Sequence, residues 1–229
     1  VYKVAKLGFP FLFGALMGLA TPALLAADSV PKTTPEGMAL VKQTKARLVY
    51  MMPGASLAPY SKVALLDCYV AFRKNWERDY NRDARFGMRV KDSDMTRITK
   101  ELADEFRTVF TKELTDAGFE IVDHTGPDVV ILRPAIINLN VTAPDVQTAS
   151  MTNTIVRSAG DMTLYLEFFD SVSSAIFARV MDAESGDRGG FASQANKVTN
   201  KAAADSVIRG WAKELIEHLK DAQATTAGS

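Results

Sequence analysis

Two spacings of apolar residues run through this chain, and the change from one to the other marks its elements. Met95, Ile98, Leu102, Phe106, Val109, Phe110 and Leu114 recur at three- and four-residue steps, which lines one face of a helix. Ser93 or Asp94 supplies the N-cap and Gly118 the left-handed stop, so a helix is predicted to about Ala117. Burying those seven side chains contributes roughly 10–20 kcal/mol before entropy, an upper bound. The stripe is therefore read as core and not as a cofactor site. A second stripe, Ala204, Val207, Ile208, Trp211, Leu215 and Leu219, predicts a helix over about 201–220 with Asn200 as cap.

Between the stripes the period shortens to two. Strands are predicted at Arg47–Met52, Lys62–Phe72, Phe119–Val122, Val129–Val141, Thr163–Phe169 and Ile176–Met181. Asp170–Ser174 turns the last two into a hairpin. The nearly unbroken apolar run at 62–72 points to a central strand, and Pro134 points to an edge or a bulge within its own strand. Thr34-Pro35-Glu36 has the makings of one short capped helix. Strands gathered between two helices predict an α+β fold, a mixed and largely antiparallel sheet with both main helices on one face. Residues 28–45 are read as a leader segment, 46–222 as a single domain and 223–229 as a disordered tail.

The N-terminus has a third pattern. Lys3 and Lys6 precede the uncharged apolar stretch Leu7–Ala20, and small residues lead to Ala26-Ala27 ahead of Asp28. That order is the order of a secretory signal peptide over residues 1–27. It predicts export to a bacterial periplasm, with cleavage after Ala27 or Ala26. The alternative is an inner-membrane anchor formed by an uncleaved signal, since 7–27 is long enough to cross a bilayer. Gly8, Pro10, Gly14, Gly18 and Pro22 weigh against it as a stable helix. Val1 stands where a start Met is usual. No lipid anchor is expected at the cut, because no cysteine lies near it, and no later run approaches bilayer length.

Composition narrows the chemistry further. Hydrophobic residues make up 47% and mean hydropathy is −0.02, the values of an ordinary globular protein. Lysine and arginine balance aspartate and glutamate at 27 each; without Lys3 and Lys6 the remainder is 25 against 27, a net of −2. Such a surface offers no general attraction for nucleic acid. The single cysteine, Cys68, excludes an internal disulfide and a cysteine-based zinc site, and its apolar neighbours predict a buried core position. Only His124 and His218 are available as histidine bases; the sequence has no Gly-x-Ser-x-Gly turn to present a nucleophile and no phosphate-cradling glycine loop. No cofactor is expected.

Two clusters remain as candidate sites. Arg73–Lys91 holds seven basic residues against three acidic ones. Arg78, Arg82, Arg85 and Arg89 fall at helical spacing, with Trp76, Tyr80 and Phe86 interleaved. A helix there would present an arginine face to an envelope protein partner or an anionic envelope surface, each basic group contributing about 1 kcal/mol. The opposing reading is a surface segment whose arginines pair with Glu77, Asp79 and Asp83, and Asn75, Asn81 and Gly87 disfavour a firm helix. The second cluster is Asp182, Glu184 and Asp187 in the 182–190 stretch. With His124 it defines an alternative, a small-molecule-binding or hydrolytic cleft. The reading taken is a non-catalytic accessory or binding domain.

Several short motifs occur together in order. They are Pro53–Tyr60, Val70–Trp76, Arg78–Asp83, Leu132–Ile136, Thr142–Asp145 and Asp187–Phe191. In these the chain resembles the bacterial envelope family known as domain of unknown function 3313, over roughly residues 35–220. The resemblance implies no activity and no catalytic residues. Many relatives resemble lipoproteins, a feature that this chain's missing cysteine at the cut does not share. The element order is also similar to small α+β domains of periplasmic accessory lipoproteins, a likeness of fold that does not fix function.

Overall fold

The computed structural model describes residues 30–45, 47–84, 88–142, 144, 154–156, 160–185, 193–195 and 197–227. The expected signal peptide, Arg85 and Asp187 lie outside these. A mixed sheet is crossed on one face by two long helices, as the two spacings predict. In chain order the elements begin with β1 (Ala39–Gln43), β2 (Arg47–Met51), β3 (Lys62–Leu65), β4 (Tyr69–Phe72), α1 (Trp76–Asp83) and α2 (Asp92–Asp116). They continue with β5 (Glu120–Ile121), β6 (Val129–Val141), β7 (Thr154–Val156), β8 (Gly160–Asp170), β9 (Ile176–Ser185), β10 (Ser193–Ala195) and α3 (Lys197–Ala227). The sheet order is β1-β2-β9-β8-β6-β3-β5, with β4 also on β6 and a separate β7–β10 pair. β3 and β4 run parallel to β6; the β1–β2–β9–β8–β6 half is antiparallel.

The run predicted as one strand over 62–72 is two, broken at Leu66-Asp67-Cys68, and the break explains Pro134. β6 is central, not an edge. Leu132 accepts from the Leu66 N–H, so position 134, two residues on, directs its N side the same way. There β3 has ended and β4 has not begun; β4 pairing starts at Tyr69 opposite Ala135. Proline's missing donor falls where no acceptor needs it. The bulge of β6 lies further on, between Ile137 and Asn140, with Asn138 at φ 55°.

Other boundaries move for similar reasons. Part of the expected leader is strand β1, and the Tyr50 hydroxyl donates to the Pro31 carbonyl at 2.9 Å. Thr34–Gly37 is a turn in place of a helix, with Gly37 at φ 93° donating to the Thr34 carbonyl. α2 starts at Asp92, and the Asp94 carboxylate caps it by accepting from the Lys91 N–H at 3.1 Å. Gly118, at φ 96°, is the left-handed stop. α3 starts before Asn200 and continues to Ala227 through the expected tail, where Gln223 Nε2 donates to the Tyr60 carbonyl at 2.7 Å.

The core lies between the sheet and helices α2 and α3. Phe106, Phe110 and Leu114 of α2 and Ile208 and Leu219 of α3 are fully buried against Val63, Leu132, Ile136 and Leu166. Along β8 the even positions Met162, Leu164, Leu166 and Phe168 face the helices. Ion pairs join Glu105 to Lys201 and Glu113 to Arg209. A step from 105 to 113 on one helix thus matches a step from 201 to 209 on the other, so α2 and α3 run parallel. Cys68 is buried in this core, and burial pushes its thiol up to about 12.

Candidate functional site: a cleft between two parallel helices and the sheet

The apolar stripes of α2 and α3 do not stay sealed. Phe106, Val109, Phe110 and Leu114 are buried, but Leu102 and Ile98, one and two turns before Phe106, are only half-buried. On α3, Ile208 is buried while Ala204 and Val207 are half-buried. The N-terminal half of the stripe read as core is therefore the wall of a cavity. Small side chains at Ala203 and Ala204 face the opening that Ile98 and Leu102 leave. Leu139, Val141 and Met162, from the ends of β6 and β8, complete the lining, and the cavity encloses about 400 Å³.

Local backbone sets that floor. Inward positions on β6 are even-numbered as far as Ile136; the bulge at Asn138 shifts the alternation and turns Leu139 inward, where it is buried. Gly160 opens β8 at φ 142°, and a Cβ there would meet the Asn140 carbonyl oxygen at 2.0 Å. Only glycine permits so close an approach. Around the rim stand Arg97, Glu101, Asp104, Glu105, Asp161 and Lys201. Arg97 lies 3.7 Å from Asp94 and 3.5 Å from Glu101, Lys100 holds Asp104 at 2.6 Å, and Lys201 holds Glu105. Asp161 accepts from Asn140 Nδ2 at 3.2 Å.

The expected arginine face is only partly assembled. α1 ends at Asp83, so Arg78 and Arg82 share a helix face while Arg89 stands beyond it, outside any helix or strand. Arg78 and Arg82 are exposed, at 72% and 69% of the side chain, and both lie near Asp79, at 3.3 and 4.0 Å; Arg73 joins them at 3.6 Å. Trp76 is not a surface contact. It is 2% exposed, stacked on Phe72 at 4.3 Å and on Tyr80 at 5.6 Å. Tyr80 is half-buried, and its burial raises the phenol pKa. Asn81, expected to weaken the helix, instead anchors it by two hydrogen bonds to the backbone of Val90, at 2.8 and 2.9 Å.

Of the 182–190 cluster, Asp182 and Glu184 do not converge with His124. Asp182 is 2% exposed, bound to Arg47 and to the Trp211 indole N–H, which donates at 3.0 Å. Glu184 is exposed opposite Met162, at the Asp161 end of β8. His124 precedes β6, whose first residues pair with the Asp170 end of β8. The two lie at opposite ends of one strand. The α2–α3 cavity takes none of Asp182, Glu184 and His124 as lining, although its Asp161–Met162 edge pairs with Glu184–Ser185. Among the described residues no group of three or more His, Cys, Asp or Glu is placed to hold a metal, and no helix is long and apolar enough to cross a membrane.

Fold and cleft together define an α+β domain with a ligand-sized apolar cavity between its helices and the end of its sheet. The chain belongs to the family of proteins of unknown function DUF3313, whose sequence pattern matches residues 38–215. No curated protein matches it in sequence. Three solved structures are similar at a low level. The PelC dodecamer from Paraburkholderia phytofirmans has 14% identity and a TM-score of 0.34, over 71% of this chain and 93% of that one. A Helicobacter pylori protein, described as a homolog of a neuraminyllactose-binding hemagglutinin, has 12% identity and a TM-score of 0.37, over 74% and 91%. Protein XCC0632 from Xanthomonas campestris has 12% identity and a TM-score of 0.34, over 74% and 90%. Likeness at this level says nothing about function.

Proposed function

We propose that this chain is an exported, non-catalytic binding domain of the bacterial cell envelope whose ligand occupies the α2–α3 cleft. The observation that carries the reading is the cavity itself. About 400 Å³, walled by aliphatic side chains and rimmed by a few polar ones, is the size and character of a small-molecule site. Neither histidine lines it, nor does the buried Cys68, and its carboxylates stand on the rim around an aliphatic interior. Export is supported by the lysines, apolar stretch and small residues of the first 27 positions. An uncleaved signal holding the domain at the inner membrane is the alternative.

The cleft is tested with the neutral dye N-phenyl-1-naphthylamine. Its fluorescence is expected to rise on mixing with the wild-type protein. Val207→Trp and Ala203→Phe, which fill the cavity from two positions, are expected to weaken dye binding about tenfold or more, about 1.4 kcal/mol. Undiminished binding in either variant, with its melting temperature retained, rejects the cleft as the site. Export is tested by fractionation and intact mass: a periplasmic protein lacking its first 26 or 27 residues is expected, and a full-length cytoplasmic one rejects export.

A second contact is supported by the exposure of Arg78 and Arg82; Arg78, with Arg73, lines a shallow hollow of about 520 Å³. It would attach the domain to an anionic envelope surface or a protein partner. Replacing Arg78, Arg82, Arg85 and Arg89 with Gln is expected to reduce recovery of envelope material with the protein while the melting temperature holds. Equal recovery removes this contact.

A further inference from the structure

On the reading that the cleft is the binding site, we infer that its ligand is a cationic amphiphile, an apolar chain ending in an ammonium group. Two features of the cavity lead there. The interior is aliphatic, formed by Ile98, Leu102, Leu139, Met162, Ala204 and Val207. Its volume of about 400 Å³ lies in the range of small-molecule sites and takes a medium-length chain.

The lining also has an imbalance of charge. Four carboxylates, Glu101, Asp104, Glu105 and Asp161, face two cations, Arg97 and Lys201. Both cations are already engaged: Lys201 by Glu105, and Arg97 between Asp94 and Glu101. Asp104 has Lys100 beside it. Asp161 differs from the rest. Its hydrogen bond is to the neutral amide of Asn140, whose oxygen accepts from Arg73 Nε at 3.4 Å, and among the described residues no cation forms an ion pair with it directly. It stands at the start of β8 beside Met162, where the apolar floor meets solvent. A ligand chain lying along Ile98 and Leu102 brings its head group to this carboxylate. A cationic head forms a charge-assisted hydrogen bond there; an anionic head meets repulsion from Asp161 and finds Arg97 and Lys201 occupied.

The experiment compares three probes of equal chain length, dodecylammonium, dodecanol and dodecanoate, each below its micellar concentration, in displacing the naphthylamine dye from the full-length mature protein. Dodecylammonium is expected to bind about tenfold more tightly than dodecanol, equivalent to about 1.4 kcal/mol, with dodecanoate weakest. Added salt is expected to shrink that preference. Asp161→Asn, an isosteric change at an exposed position, is expected to remove most of the preference while leaving dodecanol affinity unchanged. Equal affinity for all three probes, tightest binding of dodecanoate, or an ammonium preference that survives Asp161→Asn overturns the inference and leaves the cleft standing. Failure of every probe to displace dye that does bind, or failure of the dye to bind at all, overturns the cleft reading itself.

Discussion

Asp182→Ala is expected to lower unfolding free energy by about 3–5 kcal/mol, measured by urea denaturation at neutral pH. The carboxylate lies on the helix side of β9, directly across from Arg47 on β2, and beneath Trp211 of α3. Removing it leaves a mostly buried guanidinium and an indole N–H without their shared acceptor. Glu214 still holds Arg47 from the solvent side, which places the effect in the lower part of that range. The double variant Arg47→Met, Asp182→Leu separates the causes. If the loss comes from an uncompensated charge, the double variant recovers most of it, because apolar side chains of similar size replace a buried pair at little cost. If it recovers nothing, the indole hydrogen bond and not the ion pair is what matters at this position.

Glu167→Gln is expected to cost about 2–3 kcal/mol at pH 7 and progressively less in acid. Glu167 sits on the face of the sheet opposite the long helices, between Arg133 on β6 and Arg179 on β9, its direct cross-strand neighbours. Arg133 Nε donates to it at 2.7 Å, Arg179 at 2.8 and 3.1 Å, and the Tyr165 hydroxyl at 3.0 Å. Burial alone would raise its pKa; the two guanidiniums and the phenol outweigh burial and lower it. Arg179 reaches on to Glu36 and holds that carboxyl down at about 2. A depressed folded pKa contributes stability above the unfolded value and loses it as pH falls through the folded one. The wild type should therefore lose stability between about pH 4.5 and pH 2, the upper limit being the ordinary glutamate value. The gap to Glu167→Gln should narrow as pH falls below the ordinary glutamate value. A gap that stays constant from pH 7 to pH 2 would show that the carboxylate's charge contributes nothing. Arg133 is half exposed, which is why the estimate lies below that for Asp182.

Neither network is visible in the linear chain. Arg133, Glu167 and Arg179 come from three strands, and only the register of β6, β8 and β9 puts them in one row. In the sequence Asp182 is one acidic residue of a cluster proposed to form a cleft with His124; pairing with β2 and the arrival of α3 make it a buried acceptor instead. Trp76 and Asn81 show the same limit. One looked like an exposed aromatic among arginines and the other like a helix breaker, yet stacking on Phe72 and bonding to Val90 turn both into anchors of α1. The cleft left a faint trace, in the small Ala204 within an otherwise bulky stripe, its neighbour Ala203, and Gly160 at the start of a strand.

By itself the sequence determined the α+β class, the two long helices, most strands and the family, because periodicity is a local property that burial of one face enforces. The tertiary structure decided where the stripes part to leave a cavity, that Pro134 is central, and which carboxylates lose their solvent. Those depend on register and helix placement, which bring together residues whose separation along the chain carries no record of their meeting.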